Sequence, residues 1–419
     1  MLSVHTSPLD LPGGGDAGGL NVYVVETATR IAQHGIPVEI FTRATSSALP
    51  PGVELTDGVL VQHISAGPYE GLGKQDLPAQ LCAFTAAVLR AEAQREPGWY
   101  SLIHSHYWLS GQVGWLARDR WRVPLVHSAH TLAKVKNSSL ADGDAPEPMG
   151  RIVGEEQVVA EADHLVASTD AEADELVQLY GADPARVTVV PPGVDLDMFR
   201  PGDRQQARAR LGIAPDATLL LFAGRLQPLK APDVALRAAA ALIRQRPEIA
   251  HRLQIAVLGA PSGSAVAEHD GLRALAVSLG ISERVIFHPP VDRPVLADWF
   301  RAADLTLVPS YSESFGLVAL ESAAVGTPVI AADVGGLPTA VADGRSGLLV
   351  SGHSARDWAH AIGSLLAADE LRAQMAIDAR RHAEQFSWQR TADGLLEVYR
   401  DTAEAFAARE AGPVGSAGR

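Results

Sequence analysis

Two cations in the second half of the chain follow a predicted strand, at a position where α/β proteins bind anions. The apolar run Leu219–Ala223 predicts a buried strand, and Gly224 and Arg225 come directly after it. Lys230 follows five residues after Arg225, ahead of a segment with helical period. Ligands of such sheets bind beyond the carboxyl ends of the strands, and arginine and lysine bind phosphates there. We therefore interpret Arg225 and Lys230 as a candidate anion-binding pair, with a solvated pair of surface charges as the alternative.

Two glutamates eight positions apart form a second candidate group. Glu313 precedes a predicted helix, and Glu321 lies about two turns inside it on a mostly apolar stretch. An ionised carboxylate on such a stretch needs a partner to offset its desolvation, and sugar hydroxyls or an arginine would supply one. The backbone N–H groups of 314–317, at the start of the helix, would face an anion. The segment predicts a site for a polar, partly anionic ligand, and a structural ion pair is the alternative for Glu321.

A glycine-rich loop near the N-terminus satisfies the dinucleotide-binding spacing G-x-G-x-x-G with Gly13, Gly15 and Gly18. The segment 6–12 before it is longer than the tight turn of that motif, and the predicted strand 38–42 ends without an acidic residue for a ribose. We therefore favour a loop whose backbone N–H groups approach an anion at a helix start over a nicotinamide or flavin site.

Four histidines form two close pairs in the first half of the chain. His104 and His106 are two positions apart, and His127 and His130 are three apart. Such pairs bind metals in some proteins, but no Asp, Glu or Cys accompanies them at ligand spacing. We expect His104 and His127 to be packed strand residues.

The composition limits the classes of partner. The 419 residues carry a formal net charge of −14, which argues against nucleic acid or an anionic membrane as a partner. Cys82 is the only cysteine, so neither an internal disulfide nor a cysteine metal site is possible. With no leader pattern and no long apolar stretch, the sequence predicts a cytoplasmic protein. Lysine is rare beside arginine, which draws attention to Lys74, Lys134, Lys136 and Lys230.

The order of elements predicts the fold class. Apolar runs of strand length alternate with segments of helical period, which is typical of α/β proteins with parallel sheets. The proline-rich segment Pro191–Pro201 predicts a hinge between two doubly wound halves. Only two residues precede Ser3, so either the first strand is short or the given start is late. A continuous helical pattern runs over 370–408.

The spacing Gly-Arg-(x4)-Lys, together with Glu-(x7)-Glu and its internal Ser-Phe-Gly, resembles the retaining nucleotide-sugar glycosyltransferases of the GT-B fold, family 4 in the usual classification. The resemblance spans essentially the whole chain. It implies two Rossmann-like doubly wound domains that face a cleft. The implied limits are 1–192 for an acceptor-binding domain, 193–385 for a nucleotide-sugar-binding domain, 386–409 for a C-terminal helix that returns to the first domain, and 410–419 for a disordered tail.

Five segments of the first half narrow the resemblance to family members that use an inositol phosphate acceptor. They are His5–Pro8, Asp16–Tyr23, Ala66–Glu70, His104–Gly111 and Ala129–Leu132. The similarity implies that the acceptor phosphate is bound by Lys74, Tyr107, Thr131 and Arg151. The residues implied around the inositol ring are His5, Asp16, Ala17, Gly18, Gly19, Leu20 and Asn21. Two cations and two hydroxyl donors are suitable ligands for a phosphate.

On the donor side, the resemblance implies that Arg225 and Lys230 bind the diphosphate of a UDP-sugar. It implies Glu321 at the ribose hydroxyls, Glu313 near the sugar and the backbone of Val291 at the uracil. Donor contacts are also implied for Leu11, Pro12 and Gly19. The implied catalytic residues are Arg225, Lys230, Glu313 and His130, the last of them near the reacting sugar.

Family members are also described with a magnesium ion at main-chain oxygens. This implies Phe300, Arg301, Ala303 and Thr327 as its ligands here. Apart from the Thr327 hydroxyl, none of these has a side chain that suits a hard cation, so we expect no catalytic role for the ion. No organic cofactor is implied, and a homodimer is expected.

The implied reaction is transfer of N-acetylglucosamine from UDP-N-acetylglucosamine to 1D-myo-inositol 3-phosphate with retention of the α configuration, the first step of mycothiol biosynthesis. The alternative within the fold is a family 4 glycosyltransferase with a different, sugar-phosphate acceptor. A nicotinamide-dependent oxidoreductase and a non-catalytic sugar-nucleotide-binding protein are the alternatives outside that class.

Overall fold

A computed structural model of the chain describes residues 1–141, 144–260 and 266–411. Of the tail predicted for 410–419, residues 412–419 lie outside the described residues. None of the described helices has both the length and the apolar character that crossing a lipid bilayer requires.

The first half of the chain builds one layer of parallel strands with helices around it. Its strands are β1 Val38–Arg43, β2 Gly52–Thr56, β3 Val59–Ile64, β4 Ile103–His106, β5 Leu125–Ser128, β6 His164–Ala167 and β7 Val187–Val189. Its helices are α1 Gly19–Gln33, α2 Leu81–Glu92, α3 Trp108–Trp121, α4 Ala133–Ser138, α5 Met149–Glu161 and α6 Asp170–Tyr180, with 3₁₀ turns at Lys74–Gln80 and Pro184–Arg186.

The N-terminal residues join two groups of strands into one sheet. Strands β1 and β3 pair in parallel, with β2 antiparallel at the edge, and β4 to β7 form a parallel group. Leu2 bridges both groups, because it pairs with Phe41 in β1 and with Ser105 in β4. The Leu2 N–H donates to the His104 carbonyl at 2.9 Å, and the Ser3 N–H donates to the Phe41 carbonyl at 2.9 Å. Leu2 therefore completes the sheet as a single bridging residue between the two groups of strands.

The second half repeats the scheme. Its strands are β8 Thr218–Ala223, β9 Leu253–Leu258, β10 Val285–His288, β11 Leu305–Val308, β12 Val329–Ala332 and β13 Gly347–Val350. Its helices are α7 Arg204–Leu211, α8 Pro232–Gln245, α9 Val266–Ser278, α10 Arg293–Ala302, α11 Leu317–Ala324, α12 Leu337–Ala340, α13 Ala355–Leu366 and α14 Asp369–Ala383, followed by α15 Trp388–Glu410. Further 3₁₀ turns lie at Pro228–Lys230, Pro247–Ile249 and Ser282–Arg284.

The second sheet has the strand order of a dinucleotide-binding fold. All strands of this sheet are parallel and lie in the order β10-β9-β8-β11-β12-β13. The chain adds strands to one side of β8 and then, from β11 on, to its other side. One face packs Trp358 of α13 and Leu236 of α8, and the other packs Phe300 of α10 and Leu320 of α11. A crevice forms at the point where such a sheet reverses its order, and ligands bind there.

The chain passes from the first sheet to the second after β7 and returns between α14 and α15. The two crossing segments touch: the Val194 N–H donates to the Phe386 carbonyl at 3.1 Å. A Cβ on Gly193 would lie 2.3 Å from the Trp388 nitrogen, so only glycine permits this approach. Helix α15 then packs on α1 of the first half. The predicted domain limits stay a prediction.

Three of the differences between the predicted and the observed elements have a clear local cause. The single helical pattern over 370–408 is two helices, because Ser387 caps a new helix by accepting a hydrogen bond from the Arg390 N–H. Strand β2 was not predicted, since it is an edge strand with no buried residue. Helix α7 was not predicted either, because most of its residues are polar.

Candidate active site

A cavity of about 430 Å³ opens between the two sheets. It is lined by the segments that follow the carboxyl ends of the central strands of both sheets, including those after β4, β5, β8, β9, β10 and β11. Its volume is within the range of small-molecule sites. Fold topology therefore brings the chemistry-bearing loops of both halves to one cleft.

Arg225, Lys230 and Glu313 lie together where the second sheet reverses its strand order. The first two follow β8, and Glu313 follows the neighbouring strand β11. The Lys230 Nζ donates to Glu313 Oε2 at 2.5 Å, and the Ser310 hydroxyl donates to the same oxygen at 3.2 Å. Arg225 faces the opposite half, with its guanidinium 4.0 Å from Asp16 Oδ1. The sequence prediction that these residues meet in one cleft agrees with this geometry.

Glu321 combines a position in the cleft with an ion pair to an arginine. Its carboxylate lines the cleft, and Arg293 Nη2 lies 3.4 Å from its Oε1. Burial raises the pKa of Glu321 to about 7, and Arg293 opposes that rise. Arg293 also pairs with Glu26 of α1 in the first half. This buried network connects the Glu321 end of the cleft to the helix that follows the glycine loop.

The start of α11 is held at the cleft by a glycine and a contact between the halves. Gly316 is the N-cap with φ +101°, and a Cβ there would lie 2.6 Å from a Leu337 side-chain carbon. Glycine is therefore required for this turn. The Ser314 hydroxyl donates to the His130 carbonyl of the first half. The first N–H groups of α11 thus face the cleft close to the first half.

The glycine loop lies across the cleft from Arg225, and its residues differ in what they can contact. Pro12, Asp16, Gly18, Gly19 and Leu20 line the cavity. The Gly13 carbonyl accepts from the Ala260 N–H of the second half at 3.1 Å, so the loop also joins the two halves.

Three predicted loop contacts are not part of this lining. The Asn21 side chain is buried and holds the loop, because Oδ1 accepts from the Gly18 N–H at 3.0 Å and Nδ2 donates to Thr6 Oγ1 at 2.9 Å. Ala17 is buried, and Leu11 is half exposed outside the cavity. The structure therefore makes Asn21 a support for the loop and leaves its side chain no free atom for an inositol ring.

The predicted acceptor-side residues converge around the Tyr107 ring. The Lys74 Nζ lies 4.8 Å from the ring centroid, and the Arg151 guanidinium carbon lies 5.0 Å from it. The His5 ring packs against the same ring with centroids 4.3 Å apart. Thr131 lines the cavity beside them. The structure brings together the two cations and both hydroxyl groups that the sequence analysis assigned to a phosphate.

Electrostatics on this side favour an anionic ligand. Burial, together with the Arg151 charge, lowers the pKa of Lys74 to about 8. Burial, with the Lys74 charge next in size, lowers the pKa of His5 well below its ordinary value. Among the described residues, no carboxylate lies within salt-bridge distance of Lys74. A phosphate would relieve the repulsion between these cations.

Arg151 also has a structural role that the sequence did not indicate. Its Nε donates to Glu155 Oε1 at 2.7 Å, and its Nη2 donates to the Thr131 carbonyl at 3.2 Å. Glu155 in turn accepts from the Tyr180 hydroxyl at 2.5 Å. Arginine and glutamate side chains are both 3% exposed. The phosphate-side cation is therefore fixed by a buried network behind it.

His104 and His127 are packed as expected, and His130 reaches the cleft. His104 Nε2 is hydrogen-bonded to the Ser128 hydroxyl at 2.9 Å, and His127 Nδ1 is hydrogen-bonded to the Ser105 hydroxyl at 2.8 Å. His130 lines the cavity, and its Nε2 lies 3.0 Å from His106 Nδ1. Burial lowers the pKa of His130 to about 3, so the ring is neutral at pH 7.

The hydrogen bond between His106 and His130 determines which nitrogen His130 offers. His106 Nε2 is buried without a hydrogen-bond partner. Since a buried N–H without a partner is rarer than a buried lone pair, we assign the His106 proton to Nδ1, where it is donated to His130. His130 then carries its own proton on Nδ1. The ring is therefore a neutral donor through Nδ1.

The residues implied for magnesium do not fit a hard cation well. The Phe300 carbonyl accepts from the Thr327 hydroxyl at 2.7 Å, and the Thr327 carbonyl accepts from the Ser322 hydroxyl at 3.0 Å, so two of the implied main-chain oxygens already have hydrogen-bond partners. The Arg301 guanidinium is bound to Asp298 at 3.0 Å and brings a positive charge to the same region. No cluster of three or more His, Cys, Asp or Glu residues occurs in the described part of the chain. We derive no step of the reaction from this ion.

Two of the charged residues that line the cleft were given no role by the sequence. Arg293 is the first residue of α10, where a positive charge opposes the helix dipole. This unfavourable position is the sequence feature that could have indicated a role for Arg293 in the cleft. Lys136 lines the acceptor side. It had been noted for the rarity of lysine alone.

Family models match both halves of the chain. The model described as Glycosyl transferases group 1 matches residues 203–382. The model described as Glycosyl transferase 4-like domain matches residues 18–193.

Curated relatives match nearly the full length. "D-inositol 3-phosphate glycosyltransferase 2" of Catenulispora acidiphila is 64% identical over 399 residues, which cover 95% of this chain and 93% of the relative. "D-inositol 3-phosphate glycosyltransferase" of Geodermatophilus obscurus is 63% identical over 407 residues, which cover 97% of this chain and 90% of the relative.

Solved structures show the same architecture. Sucrose-phosphate synthase from Thermosynechococcus elongatus superposes with a TM-score of 0.87 at 31% identity, over 97% of this chain and 98% of that one. Anabaena Alr3699/HepE, solved with UDP-glucose, superposes with a TM-score of 0.72 at 20% identity, over 97% of this chain and 99% of that one. These likenesses confirm the fold class predicted from the sequence.

Proposed function

The chain belongs to the glycosyltransferases of the group 1 and 4-like families, and from that premise we propose that it transfers N-acetylglucosamine from UDP-N-acetylglucosamine to 1D-myo-inositol 3-phosphate with retention of the α configuration. The name shared by the curated relatives supports the acceptor. One observation carries the proposal: a single cleft contains two groups of cations, Arg225 with Lys230 and Lys74 with Arg151.

The donor side suits a nucleotide diphosphate sugar. A diphosphate between Arg225 and Lys230 would also face the first N–H groups of α11, so cations and helix dipole act on the same charge. The Glu321 carboxylate would accept from ribose hydroxyls, while Val291, which lines the cleft after β10, would meet the base. Donors that are fixed before the reaction stabilise the charge that grows on a leaving group.

The proposed step has a simple balance. The bond between the anomeric carbon and the diphosphate oxygen breaks, and an inositol hydroxyl oxygen bonds to the same face of that carbon. The hydroxyl proton passes to the released diphosphate oxygen, which gives UDP and the α-glycoside. The enzyme contributes positioning and charge stabilisation.

The carboxylates that line the cleft in the described residues are Asp16, Glu313 and Glu321. One oxygen of each lies within 4.0 Å of an arginine or lysine nitrogen. In the proposed same-face route these carboxylates orient the cations and the substrates, and none of them forms a bond to the anomeric carbon.

A matrix of substrates tests the proposal. Purified protein would be incubated with UDP- and ADP-linked glucose and N-acetylglucosamine against inositol 3-phosphate, glucose 6-phosphate and fructose 6-phosphate. We expect a product with the mass of N-acetylglucosaminyl-inositol phosphate from one combination. A product from a different combination, or none, would overturn the proposed pair of substrates.

A second candidate acceptor is a sugar phosphate. The likeness that favours it is the sucrose-phosphate synthase structure, at 31% identity over nearly the whole of both chains. The acceptor-side cations would serve either phosphate, because both ligands present a monoester. The hexose phosphates of the same matrix therefore decide between the two acceptors.

The pH dependence of acceptor use follows from the pKa of Lys74, which burial and Arg151 lower to about 8. Above that pH the ammonium loses its proton and its attraction for phosphate. We expect kcat/KM for the acceptor to fall above about pH 8, because this ratio reports groups of the free enzyme. In the Lys74→Arg variant the side chain stays charged, so the alkaline fall should disappear. The same fall in the variant would assign it to another group.

Several parts of the proposal concern the setting of the reaction. They are its place as the first step of mycothiol biosynthesis, a cytoplasmic location, a homodimer and a bound magnesium ion. These stay predictions from the resemblance of the sequence.

A further inference from the structure

Lys136 and Arg151 share one carboxylate on the acceptor side of the cleft. Lys136 lies in the short helix α4, and its Nζ donates to Glu147 Oε1. The same oxygen lies 2.9 Å from Arg151 Nη1. The backbone of Glu147 is fixed by Asn137, whose Oδ1 accepts from the Glu147 N–H at 2.7 Å. Two cleft-lining cations from different helices therefore converge on one oxygen atom.

One of these cations has a donor left over. The Arg151 side chain is 3% exposed, yet its Nη1 makes no hydrogen bond of acceptable geometry, even to the nearby Glu147. A buried guanidinium N–H without an acceptor is costly and marks a position where an acceptor is expected. Arg151 lines the cleft, so a ligand oxygen can supply that acceptor.

We propose that Lys136 is a further ligand of the acceptor phosphate, and that Glu147 is its counter-ion before the acceptor binds. The proposal rests on the proposed function, since it assumes a phosphorylated acceptor beside Lys74 and Arg151. On binding, the Lys136 ammonium exchanges the Glu147 oxygen for a phosphate oxygen, and Arg151 Nη1 gains its missing acceptor. No covalent bond changes.

The charges around Glu147 agree with a carboxylate that is ionised before the acceptor binds. Burial would raise the pKa of Glu147, but Arg151 and Lys136 together hold it below its ordinary value. The side chains of Lys136 and Glu147 are only partly exposed, at 25% and 20%. The carboxylate therefore competes with any anion for these two cations.

The sharpest test is removal of the competing charge. Glu147→Gln keeps the size of the side chain and the backbone contact with Asn137. We expect KM for inositol 3-phosphate to fall about fivefold, the effect of one partly exposed ion pair, with KM for the donor unchanged. Competitive inhibition by inorganic phosphate should strengthen by a similar factor. A merely structural carboxylate would give the opposite sign, a higher KM for the acceptor.

The complementary variant is Lys136→Met, with Lys134→Met as its matched control. Lys134 lies in the same helix and pairs with Glu156 at 2.7 Å, but it does not line the cleft. We expect Lys136→Met to raise KM for inositol 3-phosphate about tenfold and Lys134→Met to leave it unchanged. Equal effects of the two variants, or an unchanged KM in both Lys136→Met and Glu147→Gln, would overturn the proposal.

These outcomes are separate from those of the proposed function. If the unmodified protein does not transfer sugar to inositol 3-phosphate, the proposed function fails first. Calorimetric titration with inorganic phosphate then still tests the site, because it needs no turnover. If the unmodified protein is active and its variants bind phosphate with unchanged affinity, only the inference about Lys136 and Glu147 fails.

Discussion

Replacing Lys230 by alanine is expected to lower kcat by about two to three orders of magnitude, with a small effect on folding. Lys230 lies after β8 at the switch point of the second sheet, with its ammonium 2.5 Å from Glu313. In the proposed reaction it stabilises negative charge on the departing diphosphate. Loss of one such preorganised group costs about 3 to 4 kcal/mol of transition-state stabilisation. Release of UDP, followed with saturating substrates, measures the effect.

A matched control separates this role from a general loss of positive charge. Arg237 in α8 is half exposed, pairs with Asp233 at 3.4 Å and does not line the cleft. Arg237→Ala should retain the activity of the unmodified protein. The account would be contradicted by Lys230→Ala with near-native kcat, or by equal losses in both variants.

Replacing Lys74 by methionine should raise KM for inositol 3-phosphate by about 10- to 100-fold while KM for the donor stays unchanged. The ammonium lies over the Tyr107 ring and faces the cleft beside Arg151. A hydrogen bond to a charged group is worth about 1.5 to 3 kcal/mol, which sets the expected range. Initial rates with each substrate varied in turn give the two KM values.

The donor alone provides the control for this variant. Slow hydrolysis of the UDP-sugar without acceptor should be the same in Lys74→Met and in the unmodified protein. If KM for the donor rises more than KM for the acceptor, Lys74 belongs to the nucleotide side and the assignment of the two cation groups is wrong.

Lys74 is a better probe of the acceptor phosphate than Arg151. Removing the Arg151 side chain would leave the Glu155 carboxylate buried without its cation, at a cost of about 3 to 5 kcal/mol of stability. A loss of activity in such a variant would report folding as well as binding. Lys74 has no carboxylate partner among the described residues, so its replacement changes fewer contacts.

Strand ends and charge types made much of the cleft predictable. The alternation of apolar runs with helical segments predicts both sheets, and a parallel sheet brings the residues after its strands to one edge. Arg225, Lys230 and Glu313 follow from this rule alone. The scarcity of lysine was informative too, because three of the four lysines, Lys74, Lys136 and Lys230, line the cleft.

Contacts between the two halves were beyond prediction from local pattern. Arg293 and Glu26 are 267 positions apart, and their ion pair depends on how the two sheets are placed. Asn21 was predicted to meet the acceptor, but its side chain holds the loop instead. A polar residue in a binding loop can serve either the ligand or the loop, and the sequence does not distinguish the two.

The net charge of −14 is compatible with two anionic substrates because the cations are local. Arg225 and Lys230 lie on one side of the cleft, and Lys74 and Arg151 lie on the other. An acidic surface disfavours extended polyanions, whereas a cleft with converging cations retains small phosphorylated ligands.

The central claim is that the acceptor is recognised through its phosphate, and one comparison tests it most directly. With UDP-N-acetylglucosamine as the donor, kcat/KM is measured for 1D-myo-inositol 3-phosphate and for free myo-inositol. Free myo-inositol would lack two or more of the charged hydrogen bonds that the phosphate makes. We therefore expect kcat/KM to be at least about 100-fold higher for the phosphorylated acceptor. Equal values for the two acceptors would contradict the account.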